Sequence, residues 1–346
     1  MSPTRRATWC RKMPGSATSV FSEAEDFEAA LRGGGCLGLL VTGLGKFRAR
    51  LTRIKLHRLR LSAVEERLSR ILFVAVPPAT ILVALPGTGD PAPVLGGIRM
   101  GPREIMTVGP GERLHIRSHG PCRCGAIWLP VSELVHYGSA LTGAEFGVPS
   151  TAGSWRPRPA TRRHLRHLHS AAIRLVERGS NTLVDGEAAH GLEQQLIETL
   201  VECLSTGSAI ETSPGARERR DVAVRFDTLL QTQPERAFRT AEICSALGVS
   251  AQTLRLSCEE QLGMGPVEYV HRRRMQLAYR ALRHGNPDTA SVSAIARRYG
   301  FRGLGRFAAS FRFLYGELPS AALRRGPEGV APLALRRSNV TVPRRR

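Results

Sequence analysis

Two stretches in the last third of the chain carry the same punctuation. The first, AEICSALGVSAQTLRLSCEEQLGMGP, runs from Ala241 to Pro266; the second, IARRYGFRGLGRFAASFRFLYGELP, from Ile295 to Pro319. Ile243 and Leu247 precede Gly248 as Ile295 and Tyr299 precede Gly300. After each glycine an apolar stripe returns at helical spacing, Leu254, Cys258 and Leu262 in one copy and Phe307, Phe311 and Leu314/Tyr315 in the other. Each copy closes on Gly-x-x-Pro, and the second has one extra residue in its turn. An internal repeat of about 52 residues built this way restricts the fold sharply: two helix–turn–helix units in one chain.

In each copy a short helix buries its apolar side, and the glycine takes the left-handed conformation a tight turn needs. A second helix then starts, with Ser250 as N-cap in the first copy. The outward positions are Ala251, Gln252, Thr253 and Arg255 in one copy and Arg302, Gly303, Gly305 and Arg306 in the other. Small residues allow close approach to a major groove, where Gln pairs with adenine and Arg with guanine. A plain helical hairpin with solvated arginines explains one copy as well; two copies with matched punctuation favour DNA. Between them, VEYVHRRRMQLAYRALRHG predicts a helix with Val267, Val270, Leu277, Ala278, Ala281 and Leu282 on its buried side. At ~1.5 Å per residue its length is ~25 Å, comparable with one ~34 Å turn of DNA, so both units could read one face of one duplex. Arg274 falls near the buried stripe and reads as structural, Arg272 and Arg273 as solvated or near phosphate.

Charge points the same way. The net charge is +21 over 346 residues, which suits a polyanionic partner. Only Lys12, Lys46 and Lys55 are lysines, so a GC-rich genome is the competing source of the arginine excess. Charge alone would also suit a non-specific coating protein, which binds any duplex with a steep salt dependence.

Residues 36–130 read as short strands separated by Gly and Pro, a small sandwich or barrel. In KFRARLTRIKLHRLRL the alternation slips after Ile54, read as a bulged half-buried strand. Residues 131–205 turn helical, with Leu192, Leu196, Leu200 and Cys203 in one stripe. That helix pair either covers its own domain or pairs with a second copy, and the homodimer is the preferred expectation. Seven scattered cysteines do not suggest a disulfide framework, so a reducing cytoplasm is expected. The most apolar run is broken by Pro77 and Pro78 and is too short for a bilayer, which takes ~20 residues. The basic N-terminus has no apolar core after it, so no secretory signal and no membrane partner are expected.

His115, His119, Cys122 and Cys124 lie within ten residues. Their spacing is not that of a zinc pair, and no second cluster faces them. The histidines of the 164–169 stretch read as a solvated face. No catalytic triad, carboxylate pair or phosphate loop is present in the pattern. No catalytic residue, metal site or cofactor is expected. A metal-dependent cupin-type enzyme with an accessory helical domain is the rival to the DNA-binding reading.

Over about 221–325 the chain resembles the AraC/XylS family of bacterial transcription regulators. The resemblance rests on Gly248 to Leu254, Leu262 to Val270, Arg274 to Ala278, Ile295 to Phe301 and Phe307 to Ser320. It implies an α+β chain: an N-terminal cupin-like β-barrel or sandwich with trailing helices, and an all-α C-terminal domain with two helix-turn-helix motifs. The implied plan is a disordered basic tail over 1–16, a sensing and dimerisation domain over 17–204, a linker over 205–220, the DNA-binding domain over 221–325 and a second basic tail over 326–346. The resemblance also implies promoter DNA and RNA polymerase as partners, a small-molecule effector in the N-terminal domain, and usually activation. The family's base-reading positions fall on Gln252, Arg255 and Leu256 and on Leu304, Gly305, Arg306 and Ala309. The expected DNA contacts are Ser250, Gln252, Thr253, Arg255, Arg302, Leu304, Gly305 and Arg306.

Overall fold

The computed structural model describes residues 16–87, 92–179, 186–210 and 213–325. They form two compact units: residues up to Gln233 with Phe238–Arg273, and Pro234–Ala237 with the residues from Arg274 onward. The architecture is mixed α+β, with strands confined to the N-terminal portion of the described residues.

The first unit is built on two antiparallel sheets. Its strands are β1 (Ser16–Phe21), β2 (Cys36–Val41), β3 (Ala49–Lys55), β4 (Arg60–Glu66), β5 (Arg70–Ala75), β6 (Thr80–Pro86), β7 (Val94–Leu95), β8 (Ile98–Arg99), β9 (Ile105–Val108), β10 (Arg113–Ser118), β11 (Cys122–Pro130), β12 (Gly153–Arg156) and β13 (Ser208–Ile210). One sheet has the order β1-β3-β4-β11-β6-β9-β12-β13, the other β2-β5-β10-β7-β8. Helices α1 (Ala24–Arg32), α2 (Val131–Thr142), α3 (Pro159–Glu177) and α4 (Gly186–Thr206) complete the N-terminal portion.

Strand alternation decides what each face touches. On the larger sheet, Ile54, Leu61, Val83 and Ile127 share a core with Leu165 of α3 and with Leu196 and Leu200 of α4. Leu82, Ala84 and Trp128 occupy the opposite face and share a core with Val74 and Leu114 of the smaller sheet. The apolar stripes of α3 and α4 are therefore spent on their own sheet. The slip between Leu56 and Leu59 is a turn, not a bulge. Leu56 N–H donates to Leu59 C=O at 2.9 Å, joining β3 and β4 as a hairpin. Glu193 of α4 accepts the Arg58 and Leu59 N–H groups at 2.5 and 3.1 Å and holds that turn.

Other expectations also shift. Ser16, assigned to the N-terminal tail, opens β1; the rest of that tail and residues 326–346 lie outside the described residues. The stretch 205–220, read as a linker, contributes β13, which pairs with β12, and the first turns of the next helix. His164 and His167 are exposed, but His169 is buried and its Nε2 lies 3.0 Å from Ser62 C=O. Burial is the main cause that pushes the His169 pKa down to about 4.

Helices α5 (Pro214–Thr232), α6 (Thr240–Leu247), α7 (Ala251–Leu262) and the first half of α8 (Pro266–His284) also belong to the first unit. Val222, Phe226 and Leu230 recur along α5 and share one core with Leu254, Cys258 and Leu262 of α7. Leu40 and Ile71 of the smaller sheet join that core. In the second unit, Met275, Ala278 and Leu282 pack with Phe301, Phe307 and Phe311. Its further helices are α9 (Val292–Arg298), α10 (Leu304–Tyr315) and α11 (Pro319–Arg325).

Candidate nucleic-acid interface

The two repeated segments form two helix–turn–helix units. In the first, α6 ends on Gly248 at φ 65°, inside the left-handed region that glycine enters without steric cost. Ser250 then caps α7, its Oγ accepting the Thr253 N–H at 3.0 Å. In the second, α9 gives way to Gly300 at φ 75°, and α10 follows from Gly303 without a side-chain cap. Ile243 and Leu247 are buried before the first turn, and Leu254, Cys258 and Leu262 after it. Phe307 and Phe311 hold the matching positions of the second unit. Both closing glycines, Gly263 and Gly316, also have positive φ.

The residues read as DNA contacts lie at or before the starts of α7 and α10. Ser250, Gln252, Arg255, Arg302, Leu304, Gly305 and Arg306 are exposed, and Thr253 is half-buried. They are not equivalent. Ser250 and Thr253 are joined to each other, hydroxyl to hydroxyl at 2.8 Å, so both are part of the cap. Arg255 donates to Glu259 at 2.8 Å along α7. Among the described residues, Arg302 and Arg306 have no acidic partner, and α10 carries Arg306 and Arg312 with no Asp or Glu. Helix α7 carries Arg255 against Glu259 and Glu260. Phosphate attraction is therefore stronger at the second helix. At Gly305 an added Cβ would meet nothing within 4 Å, so nothing in the fold requires a glycine there. It leaves room for something outside the chain.

The bracing beneath these helices departs in part from the sequence reading. Val267 is 69% exposed, whereas Tyr269 and Met275, not assigned to the stripe, are buried. Arg274 is structural as read: its Nε donates to Tyr299 C=O at 2.5 Å, and its guanidinium sits 5.0 Å from the Phe301 ring centre. Arg272 and Arg273 are not left to solvent or phosphate. Arg272 pairs with Glu268 at 2.9 Å and donates to Thr42 C=O at 3.0 Å. Arg273 donates to Asp227 at 2.6 Å.

Asp227 is the centre of a buried polar cluster that the sequence reading missed. It also accepts from Tyr269 Oη at 3.0 Å and lies 3.3 Å from His115 Nε2. The His115 ring stacks on Phe73, centroids 4.7 Å apart. Burial alone would raise the Asp227 pKa; the His115 hydrogen bond and the Arg273 charge outweigh it and hold the carboxyl below its usual value. The one sequence signal was Asp227 itself, four residues after Ala223 on the mainly apolar side of α5.

The same placement separates His115 and His119 from the two cysteines, while Cys122 and Cys124 stay side by side on β11. His115 faces Asp227, His119 is exposed in a turn, and Cys122 lies 3.7 Å from Glu66. Among the described residues no group of three His, Cys, Asp or Glu could hold a metal ion.

Two braced recognition helices in one chain, preceded by a pair of antiparallel sheets, define the class: a double helix-turn-helix protein with a strand-rich companion. Residues 243–325 match the family model described as a helix-turn-helix domain. The C-terminal helices are similar to those of AraC-like transcription regulators. The chain is 28% identical over 166 residues to the probable thc operon regulatory protein of Rhodococcus erythropolis, covering 45% of this chain and 49% of that one. It is 28% identical over 144 residues to the XylDLEGF operon transcriptional activator 2 of Pseudomonas putida, covering 42% and 87%. A putative AraC-like transcription regulator of Streptomyces lividans is 32% identical over 100 residues, 29% of this chain and 32% of that one. The chain thus spans about half the length of the first of these relatives. Among solved structures, the AraC-like transcriptional activator CuxR aligns over 77% of this chain and 96% of its own, at 16% identity and a TM-score of 0.42. No helix among the described residues is long and apolar enough to cross a membrane.

Proposed function

We propose that this chain is a sequence-specific, cytoplasmic transcription regulator of the AraC type, an activator that binds promoter DNA as a homodimer and engages RNA polymerase. The observation that carries the reading is the pair of helix–turn–helix units with exposed α7 and α10. Gln252 and Arg255 read bases from α7, with Ser250 and Thr253 fixing its start. Arg302, Leu304, Gly305 and Arg306 act from α10. The paired sheets serve as a cupin-like sensing domain for a small-molecule effector.

Strand alternation supports the sensing role. On β5 and β10, Leu72, Val74 and Ile116 line a cavity between the sheets. The residues between them, Ile71, Phe73 and His115, lie on the other face. Ile71 joins the core of α5 and α7, and His115 meets Asp227 of α5. A ligand that moves these strands moves the support of the first recognition helix, because a packed core transmits displacement rather than absorbing it.

Selection of bound fragments from the source genome, followed by competition with random duplex, tests the reading. The expected result is a preferred site held at least ~1,000-fold tighter than random DNA at fixed salt. Equal affinity for any duplex would leave only non-specific coating. Arg306→Ala is expected to cost ~1–3 kcal/mol at that site and to relax one base position; unchanged affinity and base preference would remove Arg306 from the interface.

A further inference from the structure

The cavity between the sheets has a volume of about 470 Å³, within the range of small-molecule sites. Most of its wall is apolar, formed by residues such as Leu72, Val74, Leu82, Met100, Ile116 and Trp128. Four cations also line it: Arg53, Lys55, Arg60 and Arg70. No Asp or Glu does among the described residues.

Arg70 is already neutralised. It is buried and donates through Nε to both oxygens of Glu66, at 3.0 and 2.8 Å. The other three are not. Arg53 and Lys55 lie two apart on β3, hence on one face, and Lys55 stands directly opposite Arg60 of β4. Like charges opposed across paired strands are destabilising. Arg53 donates to Ala30 C=O at 3.0 Å and Arg60 to Gly33 C=O at 3.3 Å. Those two bonds fix the cations where the cavity meets the end of α1, and they supply no negative charge. None of the three has an ion pair among the described residues, and residues 1–15 contain no Asp or Glu.

We infer that the cavity takes a small amphipathic carboxylate, its apolar body between the sheets and its carboxylate among Arg53, Lys55 and Arg60. The inference rests on the effector role proposed above and specifies the ligand's chemistry. A neutral polyol fits poorly, since the wall offers few hydrogen-bonding side chains besides these cations. A carboxylate relieves the repulsion between Lys55 and Arg60 and leaves its hydrocarbon in contact with hydrocarbon. Guanidinium is suited to it because its planar donors match both carboxylate oxygens.

Calorimetric titration of the full chain with decanoate and cinnamate, each compared with its methyl ester, tests this. At least one acid is expected to bind about tenfold tighter than its ester. The double substitution Lys55→Gln/Arg60→Gln should bring that acid to the level of the ester and leave ester binding within about twofold. Ala126→Phe, which fills the cavity, should remove both; melting temperatures confirm that each variant is folded. Equal binding of acid and ester, no binding by any probe, a preference that survives the double substitution, or acid binding that survives Ala126→Phe would overturn the inference. Fragment selection without ligand separates the two readings. A chain that selects its site but shows no acid preference refutes the ligand class alone. A chain that binds acids but selects no DNA refutes the regulator reading instead.

Discussion

Replacing Asp227 by alanine should loosen the first helix–turn–helix unit from the smaller sheet. The carboxylate is 1% exposed and has three partners: Arg273, Tyr269 and His115. Losing one member of a buried ion pair costs ~3–5 kcal/mol, because the remaining charge is stranded. The Arg273 side chain is 20% exposed, so water recovers part of its loss. Tyr269 and His115 are 2% and 0% exposed and recover little, each leaving a buried group unsatisfied at ~1–3 kcal/mol. The lower end is the better figure, about 3 kcal/mol. With a urea slope of ~3 kcal/mol per molar, the unfolding midpoint should fall by about 1 M. Tyr269→Phe leaves the carboxylate two partners and should cost only about 1 kcal/mol. A midpoint shift under ~0.3 M for Asp227→Ala, or equal shifts for the two variants, would show that the cluster does not hold the modules together.

Other outcomes follow from local geometry. Because the His169 pKa falls from 6.5 to about 4 in the fold, the unfolded chain takes up its proton first as pH drops, and stability is lost as pH falls below 6.5. Between pH 7 and 5 that loss is about 2 kcal/mol, and urea titrations of His169→Gln, which keeps a donor for Ser62 but does not titrate, should show a correspondingly flatter dependence. Gly248→Ala meets no neighbour within 4 Å and should cost only the left-handed strain, ~1–2 kcal/mol. Gly300→Ala adds a clash with the Arg274 guanidinium that holds Tyr299, so its melting temperature should fall further; equal losses would deny Arg274 that role.

What could be read from the sequence was what local chemistry decides. The turns at Gly248 and Gly300 and the stripes after them depend on residues within a few positions, and both units fold as that pattern implies. Strands were legible singly, but their partners were not. The hairpin turn after Leu56 and a bulge leave the same slip in alternation. The α3/α4 pair fits a sheet or a second copy equally well until the sheet is seen beneath it. Arg272 and Arg273 read as surface charges because their partners, Thr42 and Asp227, lie 230 and 46 residues away. Pattern placed Val267 in the stripe; the fold puts Tyr269 and Met275 inside instead. The polar cluster at Asp227 and the cation group at Arg53, Lys55 and Arg60 exist only once distant segments are brought together.

The alternation along β5 and β10 has an evolutionary consequence. Positions 72, 74 and 116 shape the chamber, while 71 and 115 grip the helices behind it and Phe73 stacks on His115. If the chamber senses an effector as proposed, trigger and response are written in interleaved letters of the same strands. Successive mutations would then retune the one without erasing the other.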